Sequence, residues 1–338
     1  MAIKHFIDTQ DFSKAELLEL IELTRQIKTM DQKGWTPKLL ADATIAMILE
    51  EPSTRTRVSF EVAMHELGGQ AIYLKPGEIH LGVRESLYDT AKVISRMCDG
   101  IMARTLKHET MVALAKYATV PVINGLTDYN HPTQVVSDVL TMLEHLPRGK
   151  RLEDVQVTFI GDATNVLSSL MLVTTRMGMH FIQAAPKKYQ APARWVQWAK
   201  TNCAESGGSV SMTEDPIKAI KKADFIYTDL WWWIGQEEQI PERKAAFMPD
   251  YQVNRQLFDK APAHCQFMHC LPASRGMEAT DYVMDHPRSI IFDQAENRLH
   301  TVKGLLVYLI YKRLQHPTDK EKASSQAQMK KYLGRLKE

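Results

Sequence analysis

The sequence is poor in cysteine, since its 338 residues contain only Cys98, Cys203, Cys265 and Cys270. These residues show no disulfide framework, which excludes a small disulfide-stabilised secreted domain and suits a reducing compartment. The sequence also lacks an apolar leader and any apolar run long enough to span a bilayer. We therefore expect a cytoplasmic protein without a membrane segment.

Charge of one sign is also scarce, because 42 basic residues are balanced by 40 acidic ones and the net charge is +2. Basic residues cluster only in the C-terminal tail, so the sequence argues against a nucleic-acid partner. A hydrophobic fraction of 44% and a charged fraction of 24% are typical of a folded globular protein. The length is sufficient for two domains, each with its own core.

Glycine is missing where a dinucleotide site would need it. The segment "FIGDATN" reads as a strand, a turn and a helix start, but it lacks the second and third glycines of G-x-G-x-x-G. Dinucleotide binding is therefore disfavoured, and no cofactor is expected.

What the sequence does contain is a repeated alternation of short apolar runs and amphipathic helical segments. One series extends from "ATIAMILE" to "VPVING", and a second extends from "VQVTFIGD" to "SIIFD". Strands separated by helices indicate parallel sheets, so the expected fold class is α/β with two parallel-sheet domains. The polar segment "LPRGKRLED" separates the two series. We expect a first domain at 1–148, a second at 149–293, a helix at about 294–315 that packs back on the first domain, and a helical extension at 316–338.

The densest chemistry follows the first strand, in the motif "STRT" from Ser53 to Thr56. One hydroxyl is enough to cap a helix, whereas this helix start has three hydroxyls and Arg55. Free backbone N–H groups and the positive end of the helix dipole favour an anion there, so the motif predicts a phosphate site. The alternative is a cap surrounded by solvated arginines.

Other reactive residues also follow strands, where ligands bind in open α/β sheets. Arg104 ends the run "GIMAR", and His131 and Gln134 bracket a Pro-Thr pair that predicts a helix start. Arg298 is expected at the beginning of the last long helix. Each of these residues has an ordinary structural interpretation as well, as a surface ion pair or a buried loop histidine.

The segment "HCLPASRG" follows another apolar run and, with His264 and Cys265, provides two His-Cys pairs. The spacing lacks the short Cys-x-x-Cys knuckle of structural zinc sites, and adjacent residues of a strand point to opposite faces. We therefore expect no metal site.

The segment "TDLWWWIG" places Asp229 directly before three tryptophans. Three successive indoles cannot all face one core if the chain is extended, so at least one is expected to line a cleft or an interface. A carboxylate beside indole faces suits an organic cation. Ordinary packing remains the alternative.

In their order along the chain, "STRTR", "MAR", "HPTQ", "HCLP" and "AENR" resemble the motifs of the aspartate and ornithine carbamoyltransferase family. The resemblance implies a homotrimer whose active site lies in the cleft between the domains and at a subunit interface. It implies carbamoyl transfer from carbamoyl phosphate to a small amine, with donors that stabilise an oxyanion and no obvious general base. The resemblance assigns carbamoyl phosphate to Ser53, Thr54, Arg55, Thr56, Arg104, His131, Gln134, Cys270, Leu271 and Arg298. Within that set, Thr56, Arg104, His131 and Cys270 are the expected catalytic residues.

The residues expected to bind the amine acceptor match the family only in part. The resemblance assigns the acceptor to Asp229, Asn165, Trp233 and Ile234. Asn165 and Asp229 match the family's ornithine-binding positions, but Trp233 and Ile234 replace the Ser and Met of the "S-M-G" loop. A bulky indole in place of a polar partner disfavours an amino acid head group and favours a diamine. The chain looks most like the members that act on putrescine, which is the expected acceptor. Ornithine, another amine or amino acid, and a catalytically silent homologue are the alternatives.

Two further features of the resemblance concern neighbouring subunits. His80 stands where relatives carry a residue that reaches into the adjacent subunit's site, so it is expected to contact carbamoyl phosphate from a neighbouring subunit. The extension at 316–338 is expected to contact a neighbour in the trimer.

Overall fold

The computed structural model describes residues 3–75, 81, 84–232 and 236–335. Nine parallel strands form two sheets in this part of the chain. The strands are β1 Thr44–Leu49, β2 Gln70–Leu74, β3 Gly100–Arg104, β4 Val122–Leu126, β5 Gln156–Ile160, β6 His180–Ala184, β7 Ser209–Thr213, β8 Phe225–Thr228 and β9 Gln266–His269. The expected α/β class with two parallel-sheet domains is confirmed.

Helices connect and cover these strands. The α-helices are α1 Lys14–Gln32, α2 Thr54–Glu66, α3 Leu87–Met97, α4 His108–Tyr117, α5 Pro132–Glu144, α6 Asn165–Met177, α7 Ala193–Ser206, α8 Pro216–Ile220, α9 Ile240–Phe247, α10 Arg255–Phe258, α11 Asp281–Met284, α12 Ile291–Ile310 and α13 Asp319–Arg335. Short 3₁₀ helices occupy Thr9–Asp11, Leu152–Asp154, Lys187–Tyr189, Glu237–Gln239 and Tyr311–Arg313. None of the helices in the described part of the chain combines the length and hydropathy that crossing a bilayer requires.

Strand order explains where a ligand can bind. The first sheet has the order β2-β1-β3-β4, and the second has the order β7-β6-β5-β8-β9. In each sheet the direction of winding reverses, between β1 and β3 in the first and between β5 and β8 in the second. The loops leaving those strands diverge there and open a crevice at their carboxyl ends. The "STRT" motif follows β1 and Arg104 ends β3, whereas Asn165 and Asp229 follow β5 and β8.

The helix α12 packs on α1, α2 and α5, which belong to the first domain. Close approach to α1 depends on Gly304, because a Cβ there would lie 2.0 Å from the Thr24 hydroxyl. The helix begins at Ile291 rather than at about 294, so "FDQAENR" is already helical. The prediction that Arg298 begins this helix is therefore wrong, since Arg298 lies two turns inside it.

The last helix, α13, differs from α12 because every one of its side chains that the structure describes is exposed.

Candidate active site

A cavity of about 610 Å³ lies at the carboxyl ends of strands from both sheets. Residues that follow β1, β3 and β4 line one side, and residues that follow β5, β8 and β9 line the other. Its walls include most of the predicted site residues: Ser53, Thr54, Arg55, Thr56, Arg104, His131, Asn165, Asp229, Cys270, Leu271 and Arg298. The structure thus brings residues more than 200 positions apart in sequence into one cleft.

The start of α2 forms the floor on the first side. Ser53 is the N-cap, and its hydroxyl accepts a 3.4 Å hydrogen bond from the backbone N–H of Thr56. The residues of this first turn line the cavity, and the free backbone N–H groups of a helix start commonly bind anions. The hydroxyl of Thr56 is buried and receives hydrogen bonds from Ser53 at 3.1 Å and from Arg298 at 3.5 Å.

Three guanidinium groups, those of Arg55, Arg104 and Arg298, surround this helix start. Burial lowers the pKa of Arg104 and of Arg298 to about 10, and burial also lowers the pKa of Arg55. For Arg104 and Arg298, neighbouring arginines add to this lowering of the pKa. The Nε atoms of Arg104 and Arg298 are buried and have no hydrogen-bond partner among the described residues. Buried cationic donors without hydrogen-bond partners destabilise the protein unless an anion accepts their hydrogen bonds. This side of the cavity therefore fits a phosphate.

His131 precedes the proline that begins α5, which confirms the predicted helix start. Its backbone N–H donates to the Ser169 hydroxyl at 2.8 Å, which fixes the residue against the second domain. Burial lowers the pKa of His131 well below its ordinary value, and the nearby arginines add to this shift. The imidazole is therefore neutral and can donate one N–H to a substrate oxygen.

Asp229 stands on the opposite side, directly after β8. Its carboxylate accepts hydrogen bonds from the Thr164 hydroxyl at 3.0 Å, the Leu230 N–H at 2.8 Å and the Cys270 thiol at 3.2 Å. These donors are uncharged, so within the described residues the negative charge of Asp229 has no counter-charge in direct contact. The residue is only 9% exposed, and this partial burial strengthens the attraction of its carboxylate for a cation.

Asn165 adds a second acceptor on this side. Its Nδ2 donates to the carbonyl oxygen of Thr127 at 2.6 Å, so the amide orientation is fixed. Its Oδ1 is buried and lacks a partner among the described residues. An unpartnered carbonyl oxygen attracts an N–H donor and repels a carboxylate.

An ion pair that the sequence analysis missed borders the same region. Arg243, on α9, donates to the Asp162 carboxylate and to the carbonyl oxygen of Trp231. Its guanidinium thus ties the loop after β5 to the loop after β8. Because Asp162 neutralises Arg243, this cation is not available for an acidic group of a substrate.

The tryptophan segment is described only in part. Trp231 is fully buried and stacks on Phe247 with ring centroids 5.1 Å apart, and Trp231 and Trp232 both line the cavity. Trp233 and Ile234 lie outside the described residues, as does His80. Their predicted roles therefore stay predictions.

The "HCLP" turn completes the wall. Leu271 has a φ of 58°, in the left-handed region that a leucine adopts only when its surroundings hold it there. The ring of His269 supplies that constraint, because its Nδ1 accepts the Leu271 N–H at 2.8 Å. The Nε2 of His269 then carries the proton and faces the buried carboxylate of Glu278 at 3.3 Å, which also accepts the Ser274 N–H at 2.6 Å.

Cys270 lies in this turn as a thiol rather than a thiolate. Burial raises the pKa of Cys270 well above its usual value, and the adjacent Asp229 carboxylate raises it further. The thiol donates to Asp229, so it is not prepared for nucleophilic attack. No group of three or more His, Cys, Asp or Glu residues within the described ranges could hold a metal ion.

Among the predicted site residues that the structure describes, Gln134 alone does not line the cavity. It is buried behind Arg298, whose Nη1 donates to the Gln134 amide oxygen. Its partner Asp138 was also not predicted, nor was Gln294, which donates to the same carboxylate. Pairings such as Asp138 with Gln294, which are 156 positions apart, leave no local signal in a single sequence.

Comparison with known proteins agrees with this geometry. Residues 4–144 match the carbamoyl-P binding domain of aspartate/ornithine carbamoyltransferases, and residues 153–309 match the Asp/Orn binding domain. The putrescine carbamoyltransferase of Mycoplasma capricolum subsp. capricolum is 57% identical over 317 residues, which cover 91% of this chain and 87% of that protein.

Ornithine carbamoyltransferases are similar at lower identity. That of Thermococcus kodakarensis is 44% identical over 89% of this chain and 94% of its own length. The solved structure of the Pyrococcus furiosus enzyme superimposes with a TM-score of 0.88 at 44% identity, covering 93% of this chain and 99% of that one. The chain belongs to the aspartate/ornithine carbamoyltransferase family.

Proposed function

We propose that this chain transfers the carbamoyl group of carbamoyl phosphate to putrescine, giving N-carbamoylputrescine and phosphate. The observation that carries the proposal is the separation of charge within one cavity. Three guanidinium groups and a helix start face one end, and an uncompensated carboxylate faces the other. An anionic donor and a cationic acceptor thus fit opposite ends of the same site.

Residues 1–148 hold most of the donor in this proposal. The phosphate lies at the start of α2 and completes the buried donors of Arg104 and Arg298. The residues that bind carbamoyl phosphate are Ser53, Thr54, Arg55, Thr56, Arg104, His131, Cys270, Leu271 and Arg298, with Gln134 acting from behind Arg298.

The transfer step forms a C–N bond and breaks the C–O bond to phosphate. Neutral His131, with Thr56 and Arg104, donates hydrogen bonds to the carbamoyl oxygen as negative charge develops on it. The amine nitrogen attacks the carbonyl carbon, and phosphate departs toward the arginines. The amine proton goes to the departing phosphate, which is the basic group nearest the new bond. Holding both reactants in one cleft contributes much of the rate.

Residues 149–293 hold the acceptor. The distal ammonium of putrescine binds Asp229 and the free oxygen of Asn165, and the indole of Trp232 flanks its carbon chain. The α-carboxylate of an amino acid would be repelled by these two acceptor groups. It would also lack a cation to bind, because the nearby Arg243 is already paired with Asp162. The 57% identity to a putrescine carbamoyltransferase supports the same acceptor.

Ornithine is the second candidate acceptor. It is favoured by Asn165 and Asp229, which line the cavity at the positions where the family binds ornithine, and by the 44% identity to an ornithine carbamoyltransferase. Binding ornithine would require Asn165 to exchange its bond with Thr127 for one with the substrate carboxylate.

We also propose a homotrimer. An apolar groove beside the "STRT" helix, lined by Val58, Val62 and Leu299, lies next to the donor site. The helix α13 has exposed apolar side chains in Met329 and Tyr332. Both surfaces are suited to contact a neighbouring copy of the chain. In this proposal α13 packs on the neighbour, and the neighbour contributes its own His80 to the donor site.

The experiment that tests the activity is a product assay. Purified protein is incubated with carbamoyl phosphate and putrescine, and carbamoylated amine is measured by mass spectrometry beside phosphate release. An Arg104→Met variant serves as the control for non-enzymatic carbamoylation. Product above this control supports the proposal, whereas carbamoyl phosphate binding without product from any amine would support a silent homologue.

A further inference from the structure

Asp138 is a buried carboxylate behind the cavity, on α5, that the proposed mechanism does not use. Its Oδ1 accepts hydrogen bonds from the amide nitrogens of Gln134 at 2.8 Å and Gln294 at 2.7 Å. Its Oδ2 accepts a hydrogen bond from the hydroxyl of Tyr227 at 3.1 Å. These donors come from α5, α12 and β8, so one carboxylate joins the first domain to the second.

The first branch of this network leads to the donor site. An ionised carboxylate can only accept hydrogen bonds, and a guanidinium can only donate them. Gln134 stands between the two, with its nitrogen toward Asp138 and its oxygen toward Arg298. Arg298 in turn donates to the hydroxyl of Thr56. The negative charge of Asp138 therefore fixes which way the Gln134 amide faces and where the guanidinium lies.

The second branch leads to the "HCLP" turn. The oxygen of Gln294 accepts the backbone N–H of His269 at 2.9 Å, while its nitrogen donates to Asp138. His269 begins the turn, and its ring holds Leu271 in the left-handed region. The same carboxylate thus determines the orientation of a second amide, which supports the acceptor side of the cavity.

We propose that Asp138 is a positioning residue for carbamoyl transfer, whose ionised carboxylate orients Gln134 and Gln294 and thereby places Arg298 and the turn at 269–272. The inference rests on the proposed carbamoyl transfer but not on the identity of the amine. Asp138 touches neither substrate, so it acts only through these neighbours.

The same network has a pH dependence. Burial raises the pKa of Asp138 to about 6, although its hydrogen bonds and the nearby Arg298 act in the opposite direction. The other titratable groups that face it are the hydroxyl of Tyr227 and the thiol of Cys270, whose pKa values burial raises well above their usual range. Both stay neutral as Asp138 gains its proton. Activity should therefore fall as the pH drops through about 6, because a protonated carboxyl group can no longer accept the hydrogen bonds of all three donors.

The first test compares two isosteric replacements of buried carboxylates. Asp138→Asn should lower kcat about 100-fold, the loss expected from a small displacement of substrate-positioning groups, and should remove the acidic limb of the pH profile near pH 6. Asp224→Asn is the matched control. Asp224 is equally buried but precedes β8 at the amino end of the sheet, where it pairs with Lys150 at 2.6 Å and His264 at 2.7 Å. This control should lose stability and keep the wild-type kcat and acidic limb.

The second test uses Tyr227→Phe, which removes one donor and leaves both glutamines in place. Because that hydrogen bond lowers the pKa of Asp138, its loss should move the acidic limb to higher pH. Such a shift would not result from a purely structural role. This variant also keeps the inference testable if Asp138→Asn fails to fold.

Calorimetry with carbamoyl phosphate separates this inference from the proposed function. Asp138→Asn should bind it about 10-fold more weakly than the wild type, because Arg298 is no longer held in place. If the wild type binds carbamoyl phosphate but carbamoylates no amine, the proposed function is wrong while the affinity comparison still applies. Unchanged affinity together with an unmoved limb in Tyr227→Phe would overturn the positioning role.

Discussion

Removing the charge of Asp229 while keeping its shape gives the sharpest test of the acceptor site. In an Asp229→Asn variant, one oxygen can still accept the Leu230 N–H. The new amide nitrogen can donate to the Thr164 hydroxyl, which accepts as readily as it donates. We therefore expect the variant to fold, with only the attraction for an ammonium reduced.

The size of the effect follows from the surroundings of Asp229. The residue is 9% exposed and its described donors are uncharged, so its field is only partly screened. A hydrogen bond to a charged group in such a site contributes about 2 kcal/mol, which corresponds to about 30-fold in binding.

The assay measures kcat/KM for putrescine and for 1-aminobutane, which has the same carbon chain but lacks the distal ammonium. The wild type should prefer putrescine by about 30-fold, and Asp229→Asn should bring the ratio close to 1. The monoamine serves as the control for general damage, because its kcat/KM should change little. An unchanged ratio would refute the assignment of Asp229 to the distal ammonium.

The remaining predictions concern other parts of the molecule. Arg55→Ala should weaken carbamoyl phosphate binding about 30- to 100-fold by calorimetry, and wild-type affinity would refute the phosphate assignment. Because burial lowers the pKa of His131, NMR should show its ring neutral at pH 6.5, the ordinary value, and a titration there would contradict its role as a neutral donor. Glu278→Ala should reduce the free energy of unfolding by about 2 to 4 kcal/mol in urea, since two donors lose their acceptor, whereas Glu278→Gln should cost less than about 1 kcal/mol. Deleting residues 316–338 should dissociate the proposed trimer in light scattering, and a persistent trimer would show that α13 does not hold the copies together.

Local patterns were sufficient for most of the elements and for the residues that we assign to the donor. The surplus of hydroxyls at Ser53, the cation that ends β3 at Arg104 and the proline after His131 are each visible within a few residues. Because parallel strands end at one edge of a sheet, these loops could be expected to meet.

The parts that could not be predicted depend on contacts between distant segments. Arg243 pairs with Asp162 across 81 positions, and neither residue differs in sequence from an ordinary surface charge. Asp138 likewise appears as one polar residue on a helix until α12 and β8 are packed against it. The start of α12 was misplaced because "FDQAEN" is polar, although tertiary packing on α1, α2 and α5 stabilises it as helix.

The central claim is that an uncompensated carboxylate and a free amide oxygen select a diamine at the end of the cavity opposite the arginines. It is tested most directly by kcat/KM for putrescine and for ornithine, measured with saturating carbamoyl phosphate on the same preparation. The structure predicts a clear preference for putrescine, because the α-carboxylate of ornithine would face Asp229 and the Asn165 oxygen. A preference for ornithine would contradict the account.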